Sequence, residues 1–123
     1  MNALVFLALD VDCELQAQIT SESVKQLRLA PGREVVALVK APAVILMNDP
    51  KTRTSASNHM TGIVSRIHEG AVSAEVVVEL TLPRVRHIAA VVTKQAVRSL
   101  ELKVGLPATA AFQASSVLLA TFA

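Results

Sequence analysis

Residues 73 positions apart along this chain are repeatedly alike. Thr20 and Thr93, Val24 and Val97, Leu27 and Leu100, Leu29 and Leu102, Gly32 and Gly105, Ala37 and Ala110, Ala41 and Ala114, and Val44 and Val117 match without a gap. An internal repeat constrains the fold more than any single motif, because both copies must build the same supersecondary unit. Carried backwards, the offset sets Val5-Phe6-Leu7-Ala8-Leu9 against Val78-Glu79-Leu80-Thr81-Leu82, and Met1 against Ala74. The first unit then has no counterpart of Ser55 to Ser73, so it is expected to lack its opening strand. The polar, proline-bearing stretch from Asn48 to Thr54 reads as a linker. The chain therefore divides into residues 1–47, a linker at 48–54, and a complete unit at 55–123.

Within the complete unit, Thr61 to Ile67 and Val72 to Leu82 are rich in β-branched residues, and His68-Glu69-Gly70 separates them as a hairpin would. Arg86 to Val92 gives a third strand. Thr93 to Leu100 reads as a short helix with Thr93 as its N-cap, and Ala108 to Gln113 and Val117 to Thr121 supply the last two strands. Hydrophobic residues make up 52% of the chain, yet Phe6, Phe112 and Phe122 are its only aromatics, so the apolar content is mostly Val, Leu, Ala and Ile. That composition favours an all-β fold of tandem small five-stranded barrels of the oligonucleotide-binding kind, each with one short helix.

The formal charge of +2 is spread along the chain and implies no polyanionic partner. Binding of single-stranded nucleic acid needs aromatic stacking platforms, and a chain without Trp or Tyr offers few. Met1 to Leu9 is apolar but has no basic flank and meets Asp10, Asp12 and Glu14 early, so it reads as a strand rather than a signal peptide. No apolar run reaches the roughly eighteen residues of a membrane span. Cys13 stands alone, which suits the cytoplasm. His59, His68 and His87 are scattered and lack the spacing of a zinc site. Asp10, Asp12 and Glu14 alternate as a solvated face would, with no His or Lys beside them for acid–base work. The chain is expected not to be an enzyme.

The polar chemistry concentrates at the helix starts, Thr20-Ser21-Glu22-Ser23 and Thr93-Lys94-Gln95-Ala96. Hydroxyls and unpaired amides there can receive an anion or merely cap the helix. Lys40 closes the run Val35 to Val39 and could neutralise such an anion beside the Ala41 amide. Its repeat partner is Gln113, so the two units are not equivalent.

Thr54-Ser55-Ala56-Ser57-Asn58-His59-Met60-Thr61-Gly62 followed by Gly70 to Val76 resembles the opening of a molbindin repeat, which usually carries Ser-Ala-Arg-Asn. Ile19-Thr20 through Lys40-Ala41-Pro42 to Val44, and Val92-Thr93 through Gln113-Ala114-Ser115 to Ala120, are similar to that family's second half. The asymmetry between Lys40-Ala41-Pro42 and Gln113-Ala114-Ser115 is that of the tandem molybdate-binding region of bacterial molybdate-responsive transcription regulators. The resemblance implies molybdate or tungstate as ligand, held between repeats of different subunits in a homo-oligomer of at least two chains. It implies Thr20, Ser21, Ser23, Lys40, Ala41 and Thr93 as ligand residues, with Ser55, Ser57 and Asn58 from the opening motif, where Ser57 replaces the family's arginine. Without a winged-helix segment, DNA binding by this chain is not implied. The competing reading is a ligand-free structural or regulatory barrel pair, as in transporter ATPases, or a fragment of a regulator.

Overall fold

The computed structural model describes residues 1–122. The order is β1 (Asn2–Asp10), β2 (Cys13–Thr20), α1 (Ser21–Gln26), β3 (Val36–Val39), β4 (Ile45–Met47), β5 (Asn58–Glu69), β6 (Ser73–Leu80), β7 (His87–Thr93), α2 (Lys94–Ser99), β8 (Pro107–Phe112) and β9 (Val117–Ala120). Single 3-10 turns at Ala41–Ala43 and Ala114–Ser116 lead into β4 and β9. The strands and helix expected in the second unit are all present, with Thr93 as the N-cap.

Alternation explains the β5–β6 hairpin. Asn58, Met60, Gly62 and Val64 on β5, and Ala74, Val76, Val78 and Leu80 on β6, all point into the core, with solvent-facing or half-buried residues between them. Gly62 is required there. A Cβ at that position would overlap the Glu79 carbonyl oxygen and lie 2.9 Å from the Leu80 Cα. Each six-residue helix is too short to persist alone and depends on its cap and on packing. Both helices run into left-handed residues at equivalent places, Arg28 and Glu101, each at φ 54°.

The repeat is visible in the sheets, with one correction to its spacing. Ser21 donates its amide to the Met1 carbonyl and Lys94 donates to the Val72 carbonyl, so the donors stand 73 apart but the acceptors 71. The strand registers agree, since Phe6 pairs with Gln16 and Val77 with Ala89. β1 therefore corresponds to β6 two residues out of step with the ungapped sequence match. The tight Val11-Asp12 turn is shorter than the Thr81 to Arg86 connection, and this absorbs the difference.

Sequence division and sheet pairing do not coincide. The second sheet has the order β4-β8-β5-β6-β7, so the last strand of the first unit completes the second barrel. In return β9 leaves its own unit and pairs with β3. The remaining sheet is β1–β2. Matching strands by repeat, the first barrel has β9-β3 on one side and β1-β2 on the other, and among the described residues none corresponds to β5 between them. β5 is the middle strand of the five-stranded sheet. One core joins the units, with Leu15, Ala17, Val44 and Leu46 from the first packing with Val64, Val76, Val78, Phe112 and Val117 from the second.

Candidate functional site

Thr20 ends β2 in extended conformation, and its Oγ1 accepts the Ser23 amide at 3.1 Å while donating to Ser23 Oγ at 2.8 Å. That leaves the Ser23 hydroxyl hydrogen free to point at a ligand. At the second helix Thr93 Oγ1 accepts the Ala96 amide at 3.0 Å, but alanine stands where the first helix has Ser23. The two helix starts share a cap and differ in one hydroxyl. In helices this short, the amides and hydroxyls matter more than any dipole.

Lys40 is exposed and extended, immediately before the Ala41–Ala43 turn, and its side chain caps nothing. Among the described residues the one ion pair is Arg66–Glu75, at 2.6 Å on the surface, so the Lys40 ammonium has no carboxylate partner. Its turn packs on β7, which ends at Thr93, while the Ala114–Ser116 turn packs on β2, which ends at Thr20. The fold brings the Ala41–Ala43 turn of the first unit to β7 of the second.

Ser55 and Ser57 are exposed just before β5. Asn58 is not: it is 3% exposed, its Oδ1 accepts the Gln16 amide at 2.8 Å, and its Nδ2 donates to the Gln16 carbonyl at 2.9 Å. This amide clamps β5 to the outer edge of β2, committing one Nδ2 hydrogen and one Oδ1 lone pair of a buried side chain. The nearby hydroxyl of Thr54 bonds His59 Nε2 at 2.8 Å and accepts the Ala56 amide at 3.1 Å, ordering the approach to the strand. No side-chain signal could have revealed the Gln16 partner, because its backbone is what is bound.

Two further polar groups have surroundings that the sequence did not reveal. Arg86, matched to Cys13 by the repeat, reaches into the first unit and donates to the Leu9 carbonyl at 3.1 Å. Asp10 is not simply solvated: its Oδ1 accepts the Val11 amide, while its Oδ2 and the Arg86 Nε are buried without hydrogen-bond partners. Among the described residues no group of three His, Cys, Asp or Glu side chains is placed to hold a metal ion. No helix among the described residues is long and apolar enough to cross a membrane.

These features define a class: a tandem of small barrels with exchanged closing strands, each with a threonine-capped helix start. The chain belongs to the TOBE domain family, whose profile matches residues 1–46 and 54–119. It is 42% identical over 118 residues to the molybdenum transport protein ModE of Azotobacter vinelandii, covering 96% of this chain and 43% of that protein. It is 45% identical over 122 residues to the molybdenum-pterin-binding protein MopA of Rhodobacter capsulatus, covering 98% of this chain and 45% of that one. The chain thus spans less than half the length of these relatives. Its fold is similar to a crystal structure of the cytoplasmic molybdate-binding protein ModG with molybdate bound, with a TM-score of 0.92 and 46% identity over 98% of this chain and 85% of that one.

Proposed function

We propose that this chain binds molybdate or tungstate at the junctions between its repeats, as a cytoplasmic storage, homeostasis or sensing module without catalytic activity. The observation that carries this reading is the likeness to molybdate-bound ModG, which holds over almost the whole chain. The repeats are residues 1–47 and 55–123, joined by 48–54. A tetrahedral dianion needs several short donors and limited positive charge, and the junctions supply these. One junction offers Thr20, Ser21, Ser23, the approach at Ser55 and Ser57, and the Ala114 turn. The other offers Lys40, Ala41 and Thr93. Asn58 serves by fixing β5 rather than by touching the ligand.

Isothermal calorimetry with molybdate tests this. Saturable binding is expected, and Lys40→Ala should weaken it roughly ten- to a hundredfold, the worth of one charged hydrogen bond. No heat at millimolar molybdate or tungstate would overturn the proposal in favour of a ligand-free structural or regulatory pair, a reading supported by Ser57 in place of arginine. The apolar edges of β1 and β3 further support assembly into at least a dimer. Light scattering at micromolar concentration should show a mass of two chains or more.

A further inference from the structure

We infer that His59 is a pH-sensitive cation of the junction at Gln113: its imidazolium helps to hold the oxyanion there, so this junction fills as the pH falls and the Lys40 junction does not respond. The inference rests on the oxyanion reading and names a regulator of that same site. Continuing the β5–β8 register by one residue beyond Asn58 and Phe112 sets Ser57 opposite Gln113. The Ala114–Ser116 turn that follows packs on β2, and Asn58 holds β5 to β2 through Gln16. Ser57, the turn after Gln113 and β2 are thus neighbours. The repeat puts Gln113 where the first unit has Lys40, so the fixed charge of one junction is replaced by a neutral amide at the other.

His59 folds back toward that place. Alternation along β5 buries Asn58 and leaves His59 on the outer face. Its Nε2 lies 2.8 Å from Thr54 Oγ1, five residues back, so the ring closes over the loop that holds Ser55 and Ser57. Thr54 Oγ1 also accepts the Ala56 amide at 3.1 Å. A hydroxyl oxygen has a second lone pair, so a charged ring can donate Nε2–H to Thr54 and present Nδ1–H to an anion. Thr54 is the ring's one hydrogen-bond partner among the described residues.

The surroundings single out His59 from the three histidines. His68 stands opposite Glu75 and His87 opposite Glu79, where a carboxylate is at hand to answer an imidazolium. His59 stands opposite Ala111, and Ala111 opposite Ile45. β8 and β4 carry no titratable residue. β2, held through Gln16, carries Cys13 and Glu14, and Arg53 precedes the loop. The one ion pair among the described residues is Arg66–Glu75, so no carboxylate is paired with the His59 ring. Imidazole is the side chain whose charge ordinarily changes between about pH 5 and 8, whereas lysine and arginine stay charged throughout. A bound dianion favours the protonated ring, so proton and oxyanion each strengthen the binding of the other, and affinity rises as the pH falls.

Calorimetry of the full chain with molybdate at about pH 6 and about pH 8, in buffers of different ionisation enthalpy, tests this. Two binding steps are expected. One should be about fivefold weaker at the higher pH, in the range of an exposed charge pair, and should take up a proton; the other should be the same at both. His59→Gln keeps a donor for Thr54 without the charge, so it should remove both the pH dependence and the proton uptake. His59→Lys should keep that step tight at either pH, and Lys40→Ala should weaken only the step that ignores pH. Circular dichroism melts establish that each variant is folded. Equal affinities at the two pH values, or a pH dependence and proton uptake that survive in His59→Gln, overturn this inference and leave the oxyanion reading standing. Absence of heat at both pH values overturns the two together.

Discussion

Replacing Asn58 with alanine separates a structural role from a ligand role. The wild-type side chain forms two hydrogen bonds of 2.8 and 2.9 Å to one backbone unit, that of Gln16, across the junction of the repeats. Each such bond contributes about 0.5–1.5 kcal/mol net, and an orphaned buried group costs about 1–3 kcal/mol. Gln16 is only half-buried, so water recovers part of this loss. The expected destabilisation is therefore about 2–4 kcal/mol, equivalent to a fall in Tm on the order of 10 °C for a domain of this size. Urea unfolding followed by circular dichroism should show a lower midpoint with the slope unchanged. Asn58→Asp keeps the acceptor for the Gln16 amide but sets a carboxylate oxygen against the Gln16 carbonyl, so it should be at least as damaging. The exposed neighbour serves as control, and His59→Ala should stay within about 1 kcal/mol of wild type. If Asn58→Ala costs less than about 0.5 kcal/mol and abolishes molybdate binding, the clamp is not its role and the reasoning fails.

Gly62→Ala should destabilise by more than about 3 kcal/mol, because the added methyl overlaps backbone of β6 that cannot move aside; a thermal melt unchanged from wild type would refute this. Arg28→Gly and Glu101→Gly should each stabilise by about 0.5–1 kcal/mol, since both residues occupy left-handed backbone at φ 54°. A lower Tm in either variant would contradict that reading. Limited trypsin digestion should cut first at Lys51 or Arg53, both exposed between the repeats, and later at Arg33 or Arg98. Early fragments ending at Arg33 would show the boundary to be elsewhere.

Much of the fold was legible because its strands are short, amphipathic and repeated. The β5–β6 hairpin follows from alternating burial within its own unit, and α2 from its threonine cap, which Thr20 repeats in the other unit. What could not be read was which strand pairs with which. The segments before β4 and β9 are both brief 3-10 turns, and the apolar residues of Ile45–Met47 and Val117–Ala120 fit either barrel. Hydrophobic pattern sets the face and register of a strand but carries no label for its partner. The two-residue slip of β1 was hidden for a similar reason, since apolar residues at alternate positions match equally well when shifted by two. For the site, the helix-cap hydroxyls and Lys40 could be picked out by residue type. The role of Asn58 could not, because its partner is main chain.

The exchange of closing strands has a consequence for ligand binding that the sequence order conceals. Were the units separate barrels, Lys40 and Thr20 would serve one site, and removing both would cost less than the sum of the separate losses. In the structure the turn after Lys40 packs on β7, and β2, ending at Thr20, packs on the turn after Gln113. On the proposed oxyanion reading, the two residues are then assigned to different junctions. Independent sites give losses that add within about 0.3–0.5 kcal/mol, whereas partners on one ligand deviate by about 0.5–3 kcal/mol. Calorimetric titration of wild type, Lys40→Ala, Thr20→Ala and the double variant with molybdate measures this directly. The expected result is additivity, with Lys40→Ala weakening one binding step and Thr20→Ala the other. A coupling above about 1 kcal/mol would place both residues on the same ion, and the assignment of junctions drawn from the exchanged strands would be wrong.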